Sequence, residues 1–85
     1  MKIVKYGADW CGPCRQSSQV LKDAGYDPIE IDVDNEDNAD IINAKNIKSI
    51  PVIEFYTNDF SEPSYTHIGT LTTEELSNII NNLSC

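Results

Sequence analysis

The sequence predicts an α/β domain: a mixed four-stranded sheet with helices on both faces, in the order β-α-β-α-β-β-α. Three observations lead there. Short runs of β-branched and aromatic residues with a period of two alternate with stretches of helical spacing. The first three such runs are separated by helical stretches, and a β-α-β crossover makes parallel neighbours. The last two are separated only by a turn region, so they form an antiparallel hairpin. With 85 residues, the chain has room for one domain, spanning residues 1–85, and a small core.

Residues 2–6 (KIVKY) alternate and are β-rich, so they form the first strand, which Gly7, Ala8 and Asp9 end. Pro13 suits a first helical turn, where a missing N–H costs nothing. A helix over about 13–24 follows, with Cys14, Ser17, Val20, Leu21 and Ala24 on one side, and Gly25 stops it. Ile29, Ile31 and Val33 alternate with Glu30, Asp32 and Asp34, which gives the second strand. Asn35 can cap a short acidic helix running to about Lys45, with Ala39, Ile41 and Ile42 facing inward. Residues 51–56 (PVIEFY) are a third strand that opens with proline. Residues 58–64 form a turn region, and 64–68 a fourth strand that Gly69 ends. Thr72 and Glu75 fit a capping box, and Leu76, Ile79, Ile80 and Leu83 give helical spacing after it.

Composition excludes several functions. Six Lys and Arg stand against fourteen Asp and Glu, for a net charge of −8. That balance opposes a grip on nucleic acid, which needs clustered cations, and opposes docking on anionic lipid. No apolar run approaches the roughly 20 residues of a membrane span. The first residues carry no apolar signal segment, so the expected compartment is the cytoplasm. The aromatic residues Tyr6, Tyr26, Tyr56, Tyr65, Phe55 and Phe60 are read as packing, not as a stacking platform for bases.

Three cysteines are an odd count, unlike a disulfide scaffold. Cys11 and Cys14 are spaced C-x-x-C, and Cys85 is the last residue. In a reducing cytosol such a pair is catalytic or metal-binding before it is structural. Zinc needs four ligands, and His67 and Cys85 lack ligand spacing to the pair, so no metal is expected. The pair lies where the first strand hands over to the first helix. Unpaired N–H groups and the positive helix end there stabilise a thiolate. Cys11 is expected to be exposed and Cys14, a turn further in, to be covered. Gly12 and Pro13 keep the loop compact. The chemistry these residues support is a dithiol that cycles with a disulfide, Cys11 attacking and Cys14 resolving.

The run Trp10-Cys11-Gly12-Pro13-Cys14 resembles the active-site signature of thioredoxins. Ser49-Ile50-Pro51 resembles that family's cis-proline loop. Asp32-Val33-Asp34, Gly69 and the element order also agree. The resemblance covers nearly the whole chain and implies a minimal thioredoxin fold, which begins at what would be the second strand of a full-length member. It implies a cis bond at Pro51, with the Ile50 backbone free to pair with an extended client segment. It implies that Trp10, Gly12, Pro13, Ile50, Pro51 and Gly69 form the substrate surface. Glutaredoxins are the nearest alternative, but their usual Pro-Tyr between the cysteines and Gly-Gly turn are absent.

One departure from the family stands out. Thioredoxins usually bury an Asp six residues before the first cysteine, and Lys5 stands there. The family's partner lysine aligns with Glu30. Lys5 and Glu30 are therefore candidates for a charge-reversed pair that transfers a proton or tunes Cys14, against the plainer reading of a snorkelling lysine and an exposed glutamate. Arg15 and Asp9 are read as solvated charges, His67 as structural or exposed, and Cys85 as incidental.

The expected function is a small, monomeric thiol–disulfide oxidoreductase that reduces protein disulfides without a cofactor beyond the Cys11–Cys14 disulfide. The resemblance implies an electron donor of the thioredoxin reductase type, with ribonucleotide reductase among plausible clients. The alternatives are a glutaredoxin-like electron donor and a thioredoxin-fold binding subunit of a larger complex.

Overall fold

The computed structural model describes residues 1–58 and 61–83. Phe60, read as packing, and Cys85, read as incidental, lie outside the described residues. The elements are β1 (Lys2–Gly7), α1 (Gly12–Asp23), β2 (Ile29–Asp32), α2 (Ala39–Ala44), β3 (Val52–Tyr56), β4 (Tyr65–Ile68) and α3 (Thr73–Leu83). They form one sheet in the order β2-β1-β3-β4. β1 runs parallel to β2 and antiparallel to β3, and β3 is antiparallel to β4. The β1–β2 link is therefore the parallel crossover. The β2–β3 connection instead returns the chain antiparallel on the far side of β1, which corrects the expectation of two parallel crossovers.

Alternation along the two central strands assigns each face of the sheet a helix layer. Ile3, Ile53 and Phe55 point to one side and pack with Leu21 of α1, Leu76 and Ile79 of α3, and Leu71 just before α3. Val4, Tyr6, Val52 and Tyr56 point to the other and meet Ile31, Val33 and Ile47. Each fully buried aliphatic side chain contributes roughly 1.5–3 kcal/mol, so two clusters of this size suffice for a small domain. Both bonds of the predicted capping box form, Thr72 N–H to Glu75 and Glu75 N–H to Thr72, each at 3.1 Å.

The segment after β2 differs from the sequence reading. Asn35 does cap, but it caps a short 3₁₀ turn (Glu36–Asn38) that precedes a six-residue helix. The 3₁₀ turn changes the helical phase, so Ala39 and Ile41 face solvent and Ile42 is only half-buried. Ile47, beyond the helix, does the covering instead. β2 is also an edge strand, which leaves Ile29 exposed. Ala24 is exposed past the end of α1, where the chain turns away toward Gly25. Tyr65, read as packing, is half-exposed on edge strand β4 and only tilts against Phe55, with ring centroids 6.3 Å apart.

β3 carries a charge that its strand pattern does not announce. Glu54 is buried on the α2 side of the sheet. Its carboxylate accepts from the hydroxyls of Tyr6 and Tyr56, each at 2.8 Å, and Lys45 Nζ stands 3.1 Å from its second oxygen. Burial, with the Glu54 carboxylate next in effect, pushes the Tyr6 hydroxyl well above the ordinary tyrosine range. Lys45 caps α2, so this network fastens α2 and the loop after it to the sheet. Glu54→Ala leaves two buried hydroxyls without their acceptor and should cost about 3 kcal/mol. Lys45→Met, at a half-buried position, should cost less. Urea denaturation of both variants measures the difference.

A candidate dithiol–disulfide site

The end of β1 and the start of α1 build the site. Cys11 is the N-cap of α1: its backbone is extended, and its sulfur accepts the Cys14 N–H at 3.2 Å. Pro13 occupies the first turn, as its missing donor allows. The two sulfurs are joined in a disulfide, with Cα atoms 5.2 Å apart. That spacing is ordinary for a disulfide, so the helix need not unwind to close it. Cys14 is 1% exposed, as its place one turn in predicts, but Cys11 is 6% exposed, against the expectation of an open position. Ala8 packs with the pair, and Val33 and Ile50 close over it from two loops.

Why Cys14 sits so deep follows from Gly7. A Cβ there would stand 3.1 Å from Cys14 Cβ, 3.1 Å from Cys14 Sγ and 3.1 Å from Lys5 Nζ. A Cβ at the end of β1 would be in tight contact here, and Cys14 or Lys5 would have to give by a few tenths of an ångström to admit it. Ser17, one turn on, fixes the approach. Its hydroxyl donates to the Pro13 carbonyl at 2.8 Å and accepts the Leu71 N–H at 2.9 Å. Ser17 was placed on the Cys14 side of the helix by spacing alone; its tie to Leu71 has no sequence signal.

Lys5 and Glu30 are brought together. They are register partners on the parallel pair β1–β2, and Lys5 Nζ lies 2.8 Å from Glu30 Oε1. The Lys5 side chain is 4% exposed, so it does not snorkel, while that of Glu30 is 46% exposed. Ser18 of α1, which sequence reasoning missed, donates to the same Glu30 oxygen at 2.6 Å. The hydrogen bond from Lys5, and then that from Ser18, hold the Glu30 carboxyl below the ordinary carboxylate range. An open cleft of about 290 Å³ runs from this pair to Cys14 between α1 and β2.

On the opposite side lies the remaining candidate surface. Trp10, next to Cys11 in sequence, is 70% exposed. Its indole N–H donates to Asp34 at 2.6 Å, a partner the sequence did not single out. The Ile50–Pro51 peptide bond is cis, and Ile50 packs against the cysteine pair. Gly69, at φ 100°, donates its N–H to the Pro51 carbonyl at 2.9 Å. A residue with a Cβ is strained at that φ, so glycine is what lets the loop before α3 reach the proline loop. Gly12 and Pro13 are exposed at the rim. Asp9 and Arg15 are exposed as read, and the His67 ring bonds the Thr70 carbonyl at 3.0 Å, away from the cysteines.

The thioredoxin family model matches residues 1–82. The chain belongs to the thioredoxin family. A thioredoxin of Mycoplasma genitalium is 39% identical over 59 residues, covering 66% of this chain and 58% of that protein. One of Gallus gallus is 32% identical over 59 residues, covering 66% of this chain and 56% of that protein. The chain thus spans little more than half the length of these relatives. Among solved structures, a chloroplastic thioredoxin z superposes with a TM-score of 0.73 at 30% identity, over 96% of this chain and 76% of that one. The fold is therefore that of the family.

Two outcomes check this geometry. Gly7→Ala forces Cys14 or Lys5 to shift by a few tenths of an ångström and should destabilise the disulfide form by roughly 1–3 kcal/mol, measured by thermal denaturation. Glu30 is lowered on folding, so its contribution is complete above the unfolded carboxylate pKa and fades as pH falls through the folded value. Acidification from pH 6 to pH 3 should therefore destabilise the wild type more steeply than Glu30→Gln, read from urea midpoints at each pH.

Proposed function

We propose that this protein is a thiol–disulfide oxidoreductase that reduces disulfides of client proteins. The observation that carries the proposal is the Cys11–Cys14 disulfide at the N-terminus of α1, under an exposed Trp10 and beside the cis-proline loop. In the reduced protein, the Cys11 thiolate attacks one sulfur of the client disulfide. A Cys11–client bond forms, the client bond breaks, and one client sulfur leaves as a thiolate. Cys14 then attacks Cys11 Sγ, which closes the internal disulfide and releases the second client thiol. Two electrons have passed to the client. The helix N-terminus favours the Cys11 thiolate, and the approach of Cys14 is already set by Gly7 and Ser17.

Trp10, Gly12, Pro13, Ile50, Pro51 and Gly69 serve as the client surface in this reading. Gly12 and Pro13 open α1 between the two cysteines, Trp10 precedes them, Ile50 packs against the pair, and Gly69 bonds the Pro51 carbonyl. The Ile50 backbone next to the cis bond offers hydrogen bonds to an extended client segment. The catalytic cycle needs no cofactor besides the disulfide, and it needs a donor of two electrons. The family's chemistry supports a thioredoxin reductase-type donor and clients such as ribonucleotide reductase, in a reducing compartment such as the cytosol. The protein acts as a monomer in this scheme.

In an insulin-reduction assay supplied with a thioredoxin reductase, wild type should precipitate insulin at least tenfold faster than Cys11→Ser. Equal rates would end the oxidoreductase reading and leave a binding subunit. Faster turnover with glutathione than with the reductase would favour a glutaredoxin-like donor.

A further inference from the structure

Lys5 is a buried positive charge near the resolving cysteine, and the two exchange steps above give it no part. Lys5 Nζ and Cys14 Sγ each lie 3.1 Å from the point where a Cβ of Gly7 would stand. The two atoms therefore sit within roughly the 6 Å over which one charge biases the ionisation of another. The remaining charges facing Cys14 are those that line its cleft: Glu30 and Asp32 from β2, Asp9 from the loop, and Arg15 and Lys22 from α1. Of these, Asp9, Arg15, Lys22 and Asp32 are exposed, where water screens them. Glu30 is half in solvent and shares its charge between Lys5 and Ser18. Lys5 alone among them is fully buried.

We infer that Lys5 is a positioning residue that favours the Cys14 thiolate once Cys11 is bonded to the client, with Glu30 and Ser18 holding Lys5 in place. This rests on the oxidoreductase reading and gives its second step a specific form. An ionised Cys14 attacks the mixed disulfide directly, and no base has to remove its proton first. Glu30 is a weak base for that task, since the bonds from Lys5 and Ser18 hold its carboxyl below the ordinary carboxylate range. The same charge has a thermodynamic consequence. It stabilises the dithiol form but not the uncharged disulfide, so it makes the protein a weaker reductant than it would be with a neutral residue at this position. A charge-reversed pair thus does not merely replace the usual acid; it shifts the balance between the two redox states in a defined direction.

The test compares wild type, Lys5→Met and Lys5→Arg. Each protein is equilibrated with glutathione and glutathione disulfide at pH 7, and the oxidised fraction is measured after acid trapping. Lys5→Met should shift the equilibrium toward the disulfide about tenfold, which corresponds to a potential about 30 mV lower. Lys5→Arg, which keeps the charge, should stay within about threefold of wild type. In a Cys11→Ser, Cys85→Ser background, thiolate absorbance should show Cys14 ionising at higher pH when Lys5 is Met. Lys5→Gln, which keeps a donor to Glu30, covers the case in which the Met variant does not fold, and must shift the same way. Unchanged equilibrium and titration in the neutral variants would overturn the inference. So would Lys5→Arg shifting as far as Lys5→Met, since that assigns the effect to packing. A wild-type protein that does not reduce insulin would end the functional reading, while the Cys14 titration still decides the role of Lys5.

Discussion

The close approach of α1 to the end of β1 at Gly7 is the constraint on which the rest of the site depends. Absence of a Cβ lets Cys14 settle against the sheet, and burying Cys14 fixes where the N-cap, Cys11, can stand. Ser17, on the same helical face, then ties the loop before α3 to the helix through the Leu71 N–H. That loop in turn reaches the Pro51 carbonyl through Gly69. Three segments distant in sequence are thus referenced to one packing contact. The disulfide joins the two cysteines, but it does not place them; the helix–strand contact does. In a domain of 85 residues there is little core to absorb a displacement at this point, so an error of a few tenths of an ångström propagates to the Gly69 and Pro51 loops.

The sheet also carries an ion pair on each face, Lys5–Glu30 toward α1 and Lys45–Glu54 toward α2. Neither is an economical way to stabilise a small protein, because desolvating a charge costs about as much as the pair returns. Their value is directional. Glu54 collects two tyrosine hydroxyls and Lys45, and so selects one seat for a helix too short and too exposed to define its own. Lys5–Glu30 does the corresponding work on the other face of the sheet, where it sets the charge beside Cys14. The Glu54 pair orders the loop that leads to Pro51, the Lys5 pair orders the electrostatics of the disulfide, and the latter uses β-strand register to bring distant residues opposite one another.

Element types were legible because they rest on local signals: alternation, Pro13 at a helix start, and a capping box at Thr72. The cysteine pair and the cis-proline loop were legible as motifs. The expected direction of the third strand was not, because periodicity reports which face a residue takes and not which neighbour a strand joins. The inward face assigned to residues 39–42 failed for a related reason: a 3₁₀ turn shifted the phase by a fraction of a turn, and no composition signal marks that shift. Glu54 was visible as a charge in an otherwise apolar run, but two of its partners, Tyr6 and Lys45, come from other segments. Cys11 was expected to be open because a helix N-terminus usually is; Val33 and Ile50, which close over it, are brought there by tertiary packing alone.

Net charge and local charge point in opposite directions in this protein. The chain is acidic overall, at −8, and its acidic residues lie mainly in exposed segments such as the turn before α2. Interactions between such charges fall away within about 8–10 Å in physiological salt. A buried charge is not screened in that way. Lys5, covered by α1 and held by Glu30, therefore outweighs more numerous surface carboxylates in the field felt at Cys14. The acidity governs how the molecule meets other proteins at a distance. The chemistry at the disulfide is governed by one lysine that the composition, read as a sum, would have counted as a minor offset.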